Sequence, residues 1–406
     1  MLAAAEIKLS LAALKYARHA RGGRIPDPAK QLSSYLDRTP QLVEPGIVIA
    51  SIVKADDPAA YLRGLHPKHP QFEKLRQRYL ELKAALGTAT PAAKAPAGPV
   101  TKTGPKIAAS ETGDAAKMRS LLANMEMWRW IPEDMGALHV WVNLPEFTLR
   151  VMKNGAAIHT ERIISGLKDK QTPNFSATME TVVFHPYWSI PESIKVKDIY
   201  PSFARGGTVA KRYNLRVAQN GRLIDPSTVD WSQADIRRYD VYQPPGEGNM
   251  MGVLKFLFPN KHQTYMHDTP DKALFDQTER TFSHGCMRVR NPVSLAEVIL
   301  AEDKGWDAAK IKELAQPGVE NNAIPLDKKI PVHITYFTEW IGDDGSTIAF
   351  NDMYGHERRV TLALEGRFSE IVKGPDHLAP VTYGAARYAQ SRKSGDMMHG
   401  FLSGGY

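Results

Sequence analysis

From Thr88 to about Gly113 the chain runs through alanine, proline, threonine and lysine with almost no large apolar side chain. Such a linker or disordered loop has nothing to bury, so the sequence on either side must find its own core. Upstream, Ile7, Leu11 and Leu14 recur at helical spacing and stop at Gly22-Gly23, a normal helix terminator. Phe72, Leu75, Tyr79, Leu82 and Leu86 alternate steps of three and four after Pro70 and end at Gly87, one apolar stripe of an amphipathic helix. Both stripes read as packing faces rather than binding surfaces. Downstream, Met118, Leu121, Leu122, Met125 and Trp128 make a further helical stripe, and then the period changes. His139-Val140-Trp141-Val142 and Phe147 to Met152 are rich in β-formers, and Asn154-Gly155 is a tight-turn signal before Ile158 to Ile164. Thr181 to Phe184 and Val332 to Phe337 are further strand candidates, Asp344-Gly345 marks a late hairpin, and helical signals return after Asn291-Pro292 and from Asp307 to Leu314. The pattern predicts an α+β protein: a helical scaffold over 1–87, an Ala/Pro-rich linker over 88–113, a β-rich, sandwich-like domain over 114–378, and a loosely ordered tail over 379–406.

The one cysteine, Cys286, sits in Thr281-Phe282-Ser283-His284-Gly285-Cys286-Met287-Arg288-Val289. A lone cysteine is often an inert buried hydrophobe. Here Gly285 allows close backbone approach, while His284 and Arg288 make the local field positive, which favours thiolate. His267 lies upstream with fifteen residues between it and Ser283, so the pattern reads H-x15-S-H-G-C. A base, a nucleophile and nearby backbone N–H groups are what acyl transfer through a thioester requires. His284 reads as shaping the site rather than as the base. The carbonyl or carboxylate of Asp268 is the candidate to orient the His267 imidazole.

This spacing resembles the L,D-transpeptidases with a YkuD-type catalytic domain. Gln243-Pro244-Pro245-Gly246, Gly252 to Asn260 and the two boxes are similar to the large periplasmic, YcbB-like branch, from about Met118 to about Ile341. Tyr61-Leu62-Arg63-Gly64-Leu65-His66-Pro67 resembles that branch's scaffold segment. Arg288 stands where many shorter relatives have Asn, as is usual in this branch. The resemblance implies that Cys286 attacks the carbonyl on the L-centre of meso-diaminopimelate in a tetrapeptide stem and expels D-Ala. An amine of a second stem then resolves the thioester into a 3–3 crosslink. His267 would manage the protons, and the backbone of Gly285 and Cys286 would hold the oxyanion. Ser283, His284, Arg288, Tyr265, Trp188 and Asn249 are the candidate groove residues. The long stretch 187–239, rich in Pro, Gly, Arg, Asp and aromatics, matches the capping subdomain of this branch. Such a lid excludes water and favours an amine acceptor.

Composition is compatible with this reading. At 406 residues, 43% hydrophobic and 24% charged, the chain is long enough for two cores and ordinary for a soluble protein. The net charge of +8 is dispersed, and no nucleic-acid motif accompanies it; a modest positive field suits an anionic polymer such as peptidoglycan. No transmembrane run, metal-ligand set or nucleotide loop is visible, so neither metal nor cofactor is expected. Met1-Leu2-Ala3-Ala4-Ala5-Glu6 has no secretion signal, which for a wall enzyme implies a trimmed or incomplete sequence. The expected location is the periplasm of a Gram-negative bacterium, with peptidoglycan stems as donor and acceptor and other wall-synthesis proteins as candidate partners. The alternatives are a hydrolase using the same thioester, either an L,D-carboxypeptidase or one cutting a peptidoglycan–protein bond, and a noncatalytic peptidoglycan-binding protein.

Overall fold

The computed structural model describes residues 2–88 and 113–380. The expected linker, apart from its end residues, and nearly all of the expected tail lie outside the described residues. Among the described residues six helices come first: α1 (Leu2–Gly22), α2 (Pro28–Gln31), α3 (Pro45–Lys54), α4 (Pro58–Arg63), α5 (Pro70–Thr88) and α6 (Gly113–Trp128). Four of them open on proline, whose fixed φ suits the first turn and whose missing N–H is not needed there. The Asp27 and Asp57 carboxylates cap α2 and α4 by accepting the N–H of Lys30 and Ala60. The described residues divide into two compact units, one within Met1–Met135 with Tyr336–Gly374, the other of Gly136–Thr335 with the described residues after Gly374.

The second unit is built on strands. β1 (Leu138–Asn143), β2 (Thr148–Lys153), β3 (Ala156–Gly166) and β4 (Ser176–Phe184) come first. The turn between β2 and β3 is Asn154-Gly155, both at positive φ (50° and 83°), the two-residue geometry that matches strand twist. There follow β5 (Trp188–Ser189), α7 (Glu192–Ile194), a π-helical turn at Lys195–Ile199, α8 (Tyr200–Phe203), α9 (Val209–Arg212), β6 (Arg216–Gln219), β7 (Arg222–Ile224) and β8 (Asp240–Gln243). Then come β9 (Leu254–Leu257), β10 (Met266–His267), β11 (Thr281–Ser283), β12 (Met287–Val289), α10 (Pro292–Lys304), α11 (Ala308–Leu314) and β13 (Asn322–Thr335).

Nine strands form one mixed sheet in the order β11-β3-β12-β10-β9-β4-β13-β1-β2, and β2 also pairs with β3. The sandwich-like domain is therefore a sheet that returns on itself. Strand β3 makes the closure: Ala156 to Arg162 pair with β2, while Ile163 and Ile164 pair with β12. Val140, Val142, Leu149, Val151, Ile163, Val182, Phe184 and Phe256 are buried along its strands. Strands β5, β8, β6 and β7 make a separate antiparallel sheet. The stretch that reads in sequence as an interruption, the expected cap, is thus a folded subdomain that extends to Gln243, with its own core of Trp188, Ile194, Val196, Ile199, Phe203, Val217, Trp231 and Val241. Its strands escape sequence reading because they have only two to four residues each.

The first unit is helical and is completed by a late return of the chain through β14 (Glu339–Ile341), β15 (Thr347–Ala349) and α12 (His356–Leu364). Helix α6 is buried on every side from Ala123 to Trp128, the signature of a central helix. Trp128 stacks between His69 and Phe337, with centroids 4.3 and 4.1 Å away. The Asn124 amide oxygen accepts the N–H of Thr338 and of Glu339. Gln71 bonds the main chain of Ile341 in both directions. For these reasons α6 and 336–374 group with the N-terminal helices, not with the β-rich domain expected over 114–378. One packing face also differs from expectation: Ile7 and Leu11 of α1 are 60% and 62% exposed, and that helix packs through Ala17 and Ala20.

Candidate active site

Strands β10 and β12 run parallel in register, with Met266 opposite Met287 and His267 opposite Arg288. The N–H of Met287 donates to the carbonyl of Tyr265 at 3.1 Å, which extends the pairing one residue toward Cys286. Because side chains alternate along a strand, this register puts Tyr265, His267, Cys286 and Arg288 on one face of the sheet. The Tyr265 and His267 rings lie 5.6 Å apart, the Cys286 thiol donates to the carbonyl of Gln263 at 3.8 Å, and Tyr265 is close enough to the thiol to draw its pKa down. Tyr265 also packs against the core of the cap, beside Met250 and Met251.

The His267 imidazole is fixed at Nδ1 by the carbonyl of Asp268, 2.5 Å away. Of the two acceptors offered by Asp268, the carbonyl does the orienting. Its carboxylate is engaged elsewhere, accepting the N–H of Val253 at 2.9 Å and the Lys272 ammonium at 2.5 Å. That leaves Nε2 as the acceptor for a proton in the tautomer that donates at Nδ1. Burial, reinforced by the Arg288 charge, pushes His267 down to about 3. Burial likewise pushes the Cys286 thiol up to about 11, against the opposing pull of Tyr265 and Arg288. The resting site therefore holds a neutral thiol and a neutral imidazole, so the expectation that the positive field alone would favour thiolate is not met: burial outweighs it.

The S-H-G-C turn is held by Ser283. Its hydroxyl donates to the carbonyl of Cys286 at 2.5 Å and accepts the N–H of Gly285 at 3.2 Å. Ser283 is thus a 2% exposed turn-holder rather than a groove residue. Gly285 sits at φ +106°, and a Cβ there would stand 3.3 Å from the carbonyl oxygen of Gln171, so the position demands glycine. With its N–H taken by Ser283, Gly285 does not donate to an oxyanion in this conformation; the Cys286 N–H, with no acceptor among the described residues, remains the candidate. Two other expected groove residues also face inward. Trp188 is 3% exposed in the core of the cap. Asn249 is 1% exposed, donating to the carbonyls of Pro186, Gln243 and Pro244 and accepting the N–H of Met251; it ties a loop together.

His284 points to a different set of groups. Its Nε2 accepts from the Lys170 ammonium and lies 3.8 Å from the Asp198 carboxylate. Burial, with Lys170, Arg288 and Lys197 adding to it, pushes His284 down to about 3. Lys170 comes from the turn after β3, where Thr172 accepts the N–H of Gly166 through its hydroxyl. Asp198 comes from the π-helical turn of the cap. Neither carries a sequence signal, since nothing local connects residue 170 or 198 to residue 284.

Residues 137–320 match the family described as the L,D-transpeptidase catalytic domain, YkuD, and residues 1–78 match the Scaffold domain. A Haemophilus influenzae protein whose name provisionally makes it an L,D-transpeptidase is 30% identical over 247 residues, 60% of this chain and 49% of that protein. The chain thus spans about half the length of this curated relative. Two solved structures, an Ldtfm–avibactam carbamoyl enzyme and a Cys-to-Ser mutant of an Enterococcus faecium L,D-transpeptidase, each share 12% identity over 49% of this chain, and over 49% and 50% of theirs. Their TM-scores of 0.19 are too low to bear on the fold. Residues 137–320, which hold the whole His267–Cys286 face, are thus similar to the L,D-transpeptidase catalytic domain of the YkuD family, and residues 1–78 to a Scaffold domain.

Proposed function

We propose that the protein is a peptidoglycan L,D-transpeptidase that joins two meso-diaminopimelate residues in a 3–3 crosslink through a thioester on Cys286, with release of D-Ala. The observation that carries this reading is the parallel register that sets Tyr265, His267, Cys286 and Arg288 on one face with the imidazole already oriented. His267 enters as neutral imidazole, the form able to take a proton. As the thiol attacks the donor carbonyl, its proton passes to His267 and the oxyanion meets the Cys286 N–H. Collapse breaks the C–N bond, and the D-Ala amine leaves with the proton from His267. The acceptor amine then attacks the thioester, the new C–N bond forms as C–S breaks, and the thiolate recovers a proton.

The folded cap supports an amine acceptor over water. It packs on Tyr265, next to the thiol, and exclusion of water protects a thioester from hydrolysis. On this reading the work is done on the cell wall, in the periplasm of a Gram-negative bacterium, and Cys286 is the residue that carbapenems acylate. The test is incubation with disaccharide-tetrapeptide, followed by intact mass. The expected product weighs two substrates less one D-Ala, and Cys286→Ala abolishes it. Tripeptide alone would make the enzyme a carboxypeptidase, and a carbapenem adduct on Cys286→Ala would remove Cys286 from its role.

A further inference from the structure

Asp198 is a carboxylate in an unusual position. It lies on the Lys195–Ile199 turn, wound as a π-helix between α7 and α8; such turns are rare and concentrate at functional sites, because the extra residue re-aims side chains. Val196, Ile199 and Tyr200 anchor this turn in the core of the cap. The Asp198 side chain is 9% exposed, yet its one ion-pair neighbour among the described residues is His284 Nε2 at 3.8 Å, and no described residue donates it a hydrogen bond. Asp198 is part-buried and its carboxylate oxygens are not sealed from solvent, so water or the donors of a ligand must meet them. His284 cannot be the missing cation, since burial and the surrounding lysines and arginine keep it neutral.

The opposite charge is close but not paired. Lys170 and Lys197 both act on Asp198 electrostatically, yet neither comes within ion-pair distance among the described contacts, and Lys170 uses one of its three N–H donors on His284. Burial raises the carboxyl and lowers Lys170, which is what two incompletely compensated groups show. The cluster presents one carboxylate and two ammonium groups, set apart, beside the turn that carries the nucleophile. A group bearing an amine and a carboxylate on the same carbon is complementary to it.

Resting on the transpeptidase reading above, we propose that Asp198, Lys170 and Lys197 form the subsite for the free α-amino-acid end of the acyl acceptor, Asp198 receiving its ammonium and the two lysines its carboxylate. The ammonium gives one proton to the Asp198 carboxylate and becomes the nucleophilic amine. It then attacks the thioester carbon; the amide C–N bond forms, the C–S bond breaks, and the second proton lost by nitrogen reaches the thiolate by way of His267. Asp198 later returns its proton to solvent. The cap thereby selects what resolves the thioester, and water, which has neither charge, is disfavoured.

The test uses the whole protein with disaccharide-tetrapeptide as donor and D-methionine or D-methioninamide as acceptor, read by mass as exchanged product against tripeptide. Wild type should use the acid over the amide by about tenfold or more, the scale of a charge-assisted hydrogen bond. Asp198→Asn should lower the ratio of exchange to hydrolysis by about tenfold, a partition fixed after acylation and therefore blind to a fall in overall activity. Lys197→Gln, at an exposed position, should narrow the acid-to-amide gap without threatening the fold. Equal use of acid and amide by wild type, or an unchanged partition in Asp198→Asn, overturns the subsite. If wild-type Cys286 takes up no carbapenem, the transpeptidase reading fails first, and the subsite with it.

Discussion

At the scale of single residues, the charge state of the thiol decides how the site must work. With Cys286 raised to about 11 and His267 lowered to about 3, both groups are neutral through the physiological range. A raised thiol pKa means that thiolate is scarce below it, so alkylation by iodoacetamide should climb about tenfold per pH unit from about 7 to about 10. A rate already flat between about pH 5 and 8 would mean a preformed thiolate–imidazolium pair and would sink this account. Substrate binding, rather than the resting electrostatics, must then drive the proton to His267. The pairing of His267 with Cys286 was legible in sequence because the S-H-G-C run is local and its partner histidine lies at fixed spacing. The inward turn of Trp188, Asn249 and Ser283 was not, because whether an aromatic, amide or hydroxyl faces a groove depends on which neighbours cover it. Asp268 was legible only as a choice between two oxygens, and Lys272 settles it by taking the carboxylate.

Among the elements, the cap is the one whose stability can be probed apart from the rest. Trp231 is 6% exposed, tilts against Phe203 and Tyr239 at 4.7 and 5.0 Å, and donates from its indole to the carbonyl of Pro226 at 2.7 Å. Trp231→Ala should destabilise the cap by about 3–5 kcal/mol. Hydrogen exchange should then quicken over 188–243 while β9, β10 and β12 keep their protection; equal loss in both would show that cap and sheet open as one. Long elements such as α5, α10 and β3 announce themselves by period and by turn residues such as Asn154-Gly155. The strands of the cap are too short to do so, and α1 misleads in the other direction, carrying a helical stripe that the structure leaves exposed at Ile7 and Leu11.

On the scale of the whole molecule, the chain leaves its helical unit at Met135 and re-enters it at Tyr336. The return is fastened by Gln71, 5% exposed, whose amide donates to the Ile341 carbonyl at 2.7 Å and accepts its N–H at 3.0 Å. Gln71→Ala orphans both main-chain groups and should destabilise that unit by about 2–4 kcal/mol; an unshifted denaturation midpoint would contradict it. No local pattern reveals such a return, since an isolated glutamine near the start of a helix looks like surface. The β-rich unit has its own large-scale device, the closure of its sheet through β3. A ring of strands presents no row of unpaired amides to another chain. The ends most open to strand addition are the three-residue β11 and the small sheet of the cap. The closed sheet is thereby largely spared from taking up passing peptides, or copies of this chain, as stray strands along its length.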